Sequence, residues 1–224
     1  MEIYFLSLGM LLLGALLSVV VKEHWKFKVC SIFSFLSAGL MLLPAAAVLL
    51  TGVPLVQTVY LSPISGNVDF VIDPLSAFFV IVISLMSFLG TVYANGYMKP
   101  YLDKGMNVSS HCFFLMTLIA SMLMVVTVQN ALFFLIVWEV MSLSSFFLVI
   151  FEGEKKEVIK AGVKYLVYMH FSVLFILAAF VMLNLHSGSM NFADFAAYAH
   201  QGDKFASLIF MLAFIGFGIK AGFV

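Results

Sequence analysis

Long apolar runs separated by short polar segments dominate the chain. A helix that crosses a bilayer needs about 20 apolar residues. Runs of roughly this length lie at residues 3–21, 29–50, 74–93, 111–128, 131–151, 161–185 and 205–224. The pattern therefore predicts an all-α integral membrane protein. We expect one membrane domain, which spans residues 1–224 and contains about seven transmembrane helices.

Two of the connections have a polar pattern of their own. Residues 57–61 and 68–72 read as short strands around the turn-forming segment 62–67, which predicts a β-hairpin. Asp73 and Pro74 then suit the N-cap and first position of a helix. Between the sixth and seventh runs, aromatic and small residues recur at helical spacing. This spacing predicts a short amphipathic helix at the membrane interface, capped by Asn191 and ended by Gly202.

Charge orients the predicted bundle. All eleven residues that carry positive charge at pH 7 are lysines. Eight of them fall in the connections after the first, third and fifth runs: Lys22, Lys26, Lys28, Lys99, Lys104, Lys155, Lys156 and Lys160. The opposite connections hold only Lys204. Because lysine-rich loops stay in the cytoplasm, we expect the N-terminus and the hairpin to lie outside.

Composition narrows the functional classes. Hydrophobic residues make up 64% of the chain and charged residues 10%, and the formal net charge is zero, which argues against a nucleic-acid partner. Cys30 and Cys112 are far apart and no CxxC motif occurs, which argues against zinc, iron–sulfur clusters and a disulfide framework. We expect no cofactor and no catalytic redox centre in this chain, which leaves open whether it is part of an enzyme.

Ionisable residues inside the apolar runs are the candidate functional residues, since each is energetically unfavourable in a bilayer. Glu139 lies eight residues into its run, about 12 Å deep, which favours a proton or ion site over a packing role. Lys220 stands among Gly216, Gly218 and Gly222, which weaken a helix or allow close packing. A proton carrier and a lysine that snorkels to the surface are both open interpretations of Lys220.

The sixth run holds two further candidates. Lys164 lies only a few residues inside this run, where snorkelling competes with function. His170 lies deeper and suits a proton relay or a hydrogen-bonded packing role. A bis-histidine haem site is not expected, because His24 and His111 fall at inner helix ends.

The motifs around these residues resemble a known family. Residues 70–79, 129–139, 161–165 and 216–222 are similar to the antiporter-like membrane subunits of respiratory complex I, multisubunit sodium/proton antiporters and membrane-bound hydrogenases. Residues 73–97 suggest the hydrogenase-4 component B or formate hydrogenlyase branch. Family members have roughly twice as many helices in inverted repeats. The resemblance therefore implies that this sequence is the first half of such a subunit.

The resemblance also implies roles and partners. Glu139 would lie between Lys164 and Lys220 and tune their proton affinity, and Lys220 would pass a proton through a half-channel. Other membrane subunits and a peripheral hydrogenase or dehydrogenase arm would be the partners, in the inner cell membrane. A sodium/proton antiporter subunit and a purely structural membrane scaffold remain as alternative functions.

Overall fold

The computed structural model describes residues 1–62, 66–104, 106–199 and 205–223, and most of them are helical. Helices α1 to α9 span Glu2–Val20, Glu23–Thr51, Pro74–Tyr97, Lys99–Asp103, Val108–Val125, Ala131–Val149, Lys156–Ser187, Phe192–Ala199 and Ala206–Lys220. Strands β1 and β2 span Leu55–Ser62 and Gly66–Ile72, and a 3₁₀ turn covers Ile150–Glu152. The short helix α4 was not predicted.

Length and hydropathy support the predicted membrane fold. Among the described helices, α1, α2, α3, α5, α6 and α7 are each long and apolar enough to cross a bilayer. Helix α9, which matches the seventh predicted span, is apolar but has 15 residues. Its length is therefore roughly 22 Å, less than the ~30 Å hydrocarbon core. The chain is a multi-pass all-α membrane protein with six clear candidate spans.

Two helices begin earlier than their apolar runs. Helix α2 begins at Glu23, and α7 begins at Lys156. Lys26, Lys28 and Lys160 therefore lie on helices and not in the predicted connections. Lys26 is even buried, where its Nζ donates to Ser109 Oγ at 2.5 Å. Hydropathy identifies only the part of a helix that lies in lipid. The helix itself starts earlier, in a polar first turn that an acidic residue stabilises.

One end of the bundle is tied together by backbone hydrogen bonds between three connections. The predicted hairpin forms, with Leu55 paired to Ile72 in an antiparallel register, although residues 63–65 of its turn lie outside the described segments. Val71 N donates to Thr127 O at 2.8 Å, and Ala131 N donates to Met190 O at 2.7 Å. The hairpin, the α5–α6 connection and the α7–α8 connection therefore share this end, as the predicted alternation requires.

The predicted cap at Asp73 and the helix predicted to follow Asn191 are present at this end, whereas the Asn191 side chain accepts a hydrogen bond from Asn130 Nδ2 at 3.4 Å. The side chain of Asp73 accepts a hydrogen bond from Ser76 N at 2.6 Å at the start of α3. The carbonyl of Asn191 accepts one from Phe195 N at 3.2 Å, which begins α8. Phe195 is buried, and its ring lies 5.9 Å from that of Phe180 on α7. Gly202, the predicted end of this helix, lies outside the described residues.

Lysine-bearing connections form the opposite end. The rings of Tyr101 and His111 both pack on Phe151, which brings α4, α5 and the 3₁₀ turn together. Glu152 forms an ion pair with Lys155 there, and the hydrogen bond that Lys155 donates to this carboxylate raises the pKa of Lys155. The distribution of lysines along the sequence thus corresponds to two distinct ends of the folded bundle.

Helix α9 packs against α7 at a glycine. A Cβ atom built on Gly216 would lie 2.5 Å from Ile176 Cγ1 and 3.0 Å from both Ile176 N and Ser172 O. Two of these three atoms belong to the α7 backbone, which cannot move aside as a side chain can. The glycine therefore sets how closely α9, and with it Lys220, approaches α7.

We expect Gly216→Ala to destabilise the bundle by about 1–3 kcal/mol, because the added methyl group overpacks this contact. The measurement is thermal unfolding of the purified protein in detergent. Gly90→Ala on α3 is the matched control, since a Cβ there meets nothing within 4 Å. Equal unfolding temperatures for the two variants would contradict a tight α7–α9 contact.

Candidate functional site

Glu139 and Lys220 form an ion pair inside the bundle. Lys220 Nζ donates a hydrogen bond to Glu139 Oε1 at 2.8 Å. The Lys220 side chain is 2% exposed and the Glu139 side chain 22% exposed. Lys220 therefore does not snorkel to the surface, and its charge is balanced inside the membrane domain by the carboxylate.

Lys220 has further partners on α6. Its Nζ donates to Ser142 Oγ at 2.9 Å and lies 4.9 Å from the centroid of the Trp138 ring. Ser142 Oγ in turn donates to the Trp138 carbonyl at 3.0 Å, so this hydroxyl is held as an acceptor for the lysine. A carboxylate, a hydroxyl and an aromatic face thus surround one ammonium group, which matches its three N–H donors.

Local structure explains how α6 and α9 reach each other. Asn130 caps α6 by accepting from Phe133 N at 3.1 Å, which fixes where the helix starts and thus the depth of Glu139. Trp138, Glu139 and Ser142 lie within little more than one turn of α6. The Trp138 ring also packs 5.6 Å from Phe217, one turn before Lys220 on α9. Lys220 itself occupies the last turn of α9, where a cation is favourable.

His170 lies on the other side of Glu139. Its Nε2 is 3.4 Å from Glu139 Oε2, and its Nδ1 is 3.0 Å from the carbonyl oxygen of Leu166. Both ring nitrogens therefore face acceptor oxygens, Nδ1 the Leu166 carbonyl and Nε2 the Glu139 carboxylate. The His170 side chain is 52% exposed, so exposure falls in the order His170, Glu139, Lys220.

Lys164 is not brought to this pair. Its side chain is exposed, and among the described residues it makes no hydrogen bond or ion pair. Six residues separate it from His170 on α7, which places the two side chains roughly 9 Å apart along the axis and on different faces. The resemblance implied that Glu139 lies between Lys164 and Lys220. In the structure the ionisable neighbours of Glu139 among the described residues are Lys220 and His170.

Sequence reasoning missed the residues that orient the pair. Neither Ser142 nor Trp138 is ionisable, and serines or aromatic residues inside membrane helices usually serve helix packing. For Ser142 the available signal was its spacing from Glu139, because residues three positions apart on a helix are neighbours. Trp138 directly precedes Glu139 and gave no such signal. Ser145 was missed in the same way; its Oγ lies 2.5 Å from the Tyr165 hydroxyl and links α6 to α7.

Comparison with known families covers both the hairpin and this site. Residues 59–108 match the family model described as "NADH-Ubiquinone oxidoreductase (complex I), chain 5 N-terminus". Residues 128–224, which contain Glu139, His170 and Lys220, match "NADH:quinone oxidoreductase/Mrp antiporter, TM". The chain belongs to the antiporter-like membrane subunit family.

Curated relatives within this antiporter-like family include hydrogenase and antiporter subunits. "Hydrogenase-4 component B" of Escherichia coli is 41% identical over 150 residues, which are 67% of this chain and 22% of the relative. "Na(+)/H(+) antiporter subunit A1" of Staphylococcus haemolyticus is 29% identical over 169 residues, which are 75% of this chain and 20% of the relative. The chain thus spans about a fifth of the length of these relatives.

Solved structures of antiporter-like complexes have the same fold. A chain of the archaeal membrane-bound sulfane sulfur reductase superposes with a TM-score of 0.85 at 17% identity, over 97% of this chain and 44% of that one. A chain of the Mrp complex from Dietzia superposes with a TM-score of 0.81 at 18% identity, over 97% of this chain and 23% of that one. The family resemblance read from the sequence is confirmed.

A double-mutant cycle tests the ion pair. Removing one partner of a buried pair leaves an uncompensated charge, so we expect Glu139→Gln and Lys220→Met each to destabilise the protein by about 3–5 kcal/mol. The double variant should lose less stability than the two single variants lose together, because no unpaired charge remains in it. Thermal unfolding in detergent measures all three variants.

The control for this cycle is Lys160→Met, an exposed lysine on α7. Its effect should stay within about 0.5 kcal/mol, as is usual for surface substitutions. Strictly additive effects of Glu139→Gln and Lys220→Met would contradict the pairing of the two residues.

Proposed function

We propose that this chain is part of a proton-translocating, antiporter-like subunit of a redox-driven membrane complex of the hydrogenase or NADH/quinone dehydrogenase type. The observation that carries the proposal is the buried contact between Lys220 Nζ and Glu139 Oε1, with His170 on the exposed side of the carboxylate. Ionisable groups in that arrangement inside a membrane are typical of proton relays. Family membership adds support, since its matched relatives are subunits of ion-translocating and hydrogenase assemblies by name.

Proton transfer would follow the order of exposure. His170 takes a proton at Nε2 from the exposed side, because imidazole side chains commonly serve as proton shuttles. It passes this proton to Glu139 Oε2, 3.4 Å away. Protonated Glu139 no longer balances the ammonium of Lys220, which then releases its own proton to water that leads into the rest of the full subunit.

Loss of the ion pair couples proton movement to the rest of the complex. When only one of Glu139 and Lys220 is charged, the unpaired buried charge destabilises the bundle by about 3–5 kcal/mol. The bundle with both groups charged and the bundle with both groups neutral therefore favour different arrangements of α6 and α9. Redox chemistry on other subunits would drive the exchange between these two arrangements of α6 and α9. Lys164, exposed on α7, would be a further carrier that takes part through water and not through direct contact with Glu139.

A sodium/proton antiporter subunit is the second candidate function, supported by the named antiporter relative. The site geometry favours protons. Lys220 Nζ already occupies the cation position 2.8 Å from the carboxylate, and Ser142 Oγ is also bonded to it. A sodium ion at Glu139 would have to displace this ammonium group and would find few remaining oxygen ligands.

Partners and orientation belong to the same proposal. We expect other membrane subunits and a peripheral hydrogenase or dehydrogenase arm to assemble with the full subunit in the inner cell membrane. The lysine-bearing end, which contains Lys99, Lys155 and Lys156, would face the cytoplasm, and the N-terminus and hairpin would lie outside. Support for the orientation is the concentration of lysines at one end of the bundle.

Charge-neutral replacements at the pair should abolish translocation. In the full-length subunit within its complex, we expect Glu139→Gln and Lys220→Met each to reduce proton uptake into inverted membrane vesicles at least tenfold. The reason is that neither variant can exchange a proton between the two groups. Glu157→Gln and Lys160→Met, both exposed on α7, are the matched controls and should pump normally.

Assembly separates this proposal from the alternatives. Purified complexes of both variants should contain all subunits and keep their electron-transfer activity. Loss of assembly before loss of transport would support the structural scaffold instead. Transport that requires sodium would support the antiporter, and full pumping by Glu139→Gln would refute the relay.

His170 can be tested by chemical rescue. We expect His170→Ala to slow proton uptake about tenfold, in line with the usual contribution of a positioned proton-transfer group. Added imidazole should restore part of the rate, because the His170 position is half exposed. The same imidazole should not restore Glu139→Gln. If His170→Ala pumps at the normal rate, the proton reaches Glu139 by another route.

A further inference from the structure

A basic cavity lies at the lysine-bearing end, away from the ion pair. It has a volume of about 410 Å³ and opens between the first turns of α2 and the end of α3. The side chains that line it are His24, Phe27, Lys28, Asn95, Lys99 and Leu102. Two are lysines and one is a histidine, and no carboxylate is among the described lining residues. The cavity therefore suits an anionic group.

One wall of the cavity is held rigidly. Asn95 Nδ2 donates to Ser31 Oγ at 2.5 Å and to Thr91 O at 3.1 Å. Ser31 Oγ donates to Thr91 O at 2.9 Å, which ties α2 to α3 directly below the cavity. These bonds hold α2, which carries Lys28, against the end of α3, and α4 with Lys99 follows directly after α3.

An apolar surface continues from the cavity toward the middle of the membrane. On α2, Ile32 and Phe35 follow Lys28 at helical spacing and are 54% and 58% exposed. On α3, Val92 precedes Asn95 on the same face and is 46% exposed, and the Phe88 ring lies 5.2 Å from that of Phe35. An acyl chain can lie along this track while its polar end remains in the cavity.

Trp25 marks the depth of the cavity. Its ring is exposed, and Lys28 Nζ lies 4.5 Å from the ring centroid. Tryptophan is enriched at the level of lipid headgroups, so the cations of this cavity stand at the headgroup layer of the cytoplasmic leaflet.

We propose that this cavity binds the headgroup phosphate of an anionic phospholipid. Lys28, Lys99 and His24 hold the phosphate, while Phe27 and Leu102 contact the glycerol backbone. One acyl chain lies along Ile32, Phe35 and Val92. Basic pockets between membrane helices on the cytoplasmic side recognise anionic lipids in this way. The apolar track favours a lipid over free phosphate, which would leave it unused.

The test uses the full-length protein purified in detergent, with phosphatidylglycerol and phosphatidylcholine as probes in native mass spectrometry. We expect phosphatidylglycerol to be retained more strongly than phosphatidylcholine. Lys28→Gln combined with Lys99→Gln should weaken its binding by about thirtyfold, since each lysine near a membrane surface contributes roughly fivefold. Thermal unfolding without lipid checks that the variant is folded.

Lys156→Gln combined with Lys160→Gln removes the same charge from the same end and should leave lipid binding unchanged. Equal weakening by this control would show general surface attraction and overturn the site. Equal retention of phosphatidylcholine would also overturn it. Displacement of phosphatidylglycerol by millimolar inorganic phosphate would assign the cavity to free phosphate instead.

Discussion

A lysine ammonium within a membrane-spanning bundle loses its hydration, and the rest of this structure compensates for that loss. Lys220 is 2% exposed and is stabilised by Glu139, Ser142 and the face of Trp138, all on α6. A pair buried in this way is sensitive to any change in either charge. The same sensitivity that makes it a structural liability makes it suitable for coupling a proton to a movement of helices.

The packing around the pair follows from this requirement. Gly216 lets α9 approach the α7 backbone closely enough for Lys220 to reach α6. Asn130 fixes the start of α6 and therefore the depth of Glu139. At the end that holds the hairpin, backbone hydrogen bonds link β2 to the α5–α6 connection, and that connection to the α7–α8 connection. The site is thus held from one end by hydrogen-bonded loops and from the side by a glycine contact.

The two ends of the bundle serve different purposes. The hairpin end is closed by backbone pairing and aromatic packing, and its described charged side chains are acidic: Glu2, Asp69, Asp73 and Asp194. The opposite end concentrates lysines, and between α2 and α3 it contains the basic cavity beside the exposed Trp25. In the orientation and lipid contact that we propose, charge at that end would both orient the chain and contact anionic headgroups.

The sequence alone determined the membrane class, the approximate spans, the hairpin and the cap at Asp73, and it singled out Glu139 and Lys220 as candidate site residues. These features depend on local patterns: apolar length, turn residues and an isolated charge in an apolar run. Only the tertiary structure decided that His170, and not Lys164, is the second neighbour of Glu139, and that Lys26 is buried. It also identified Ser142 and Trp138. Such contacts depend on helix rotation and close approach, which hydropathy does not encode because lipid and protein interior are equally apolar.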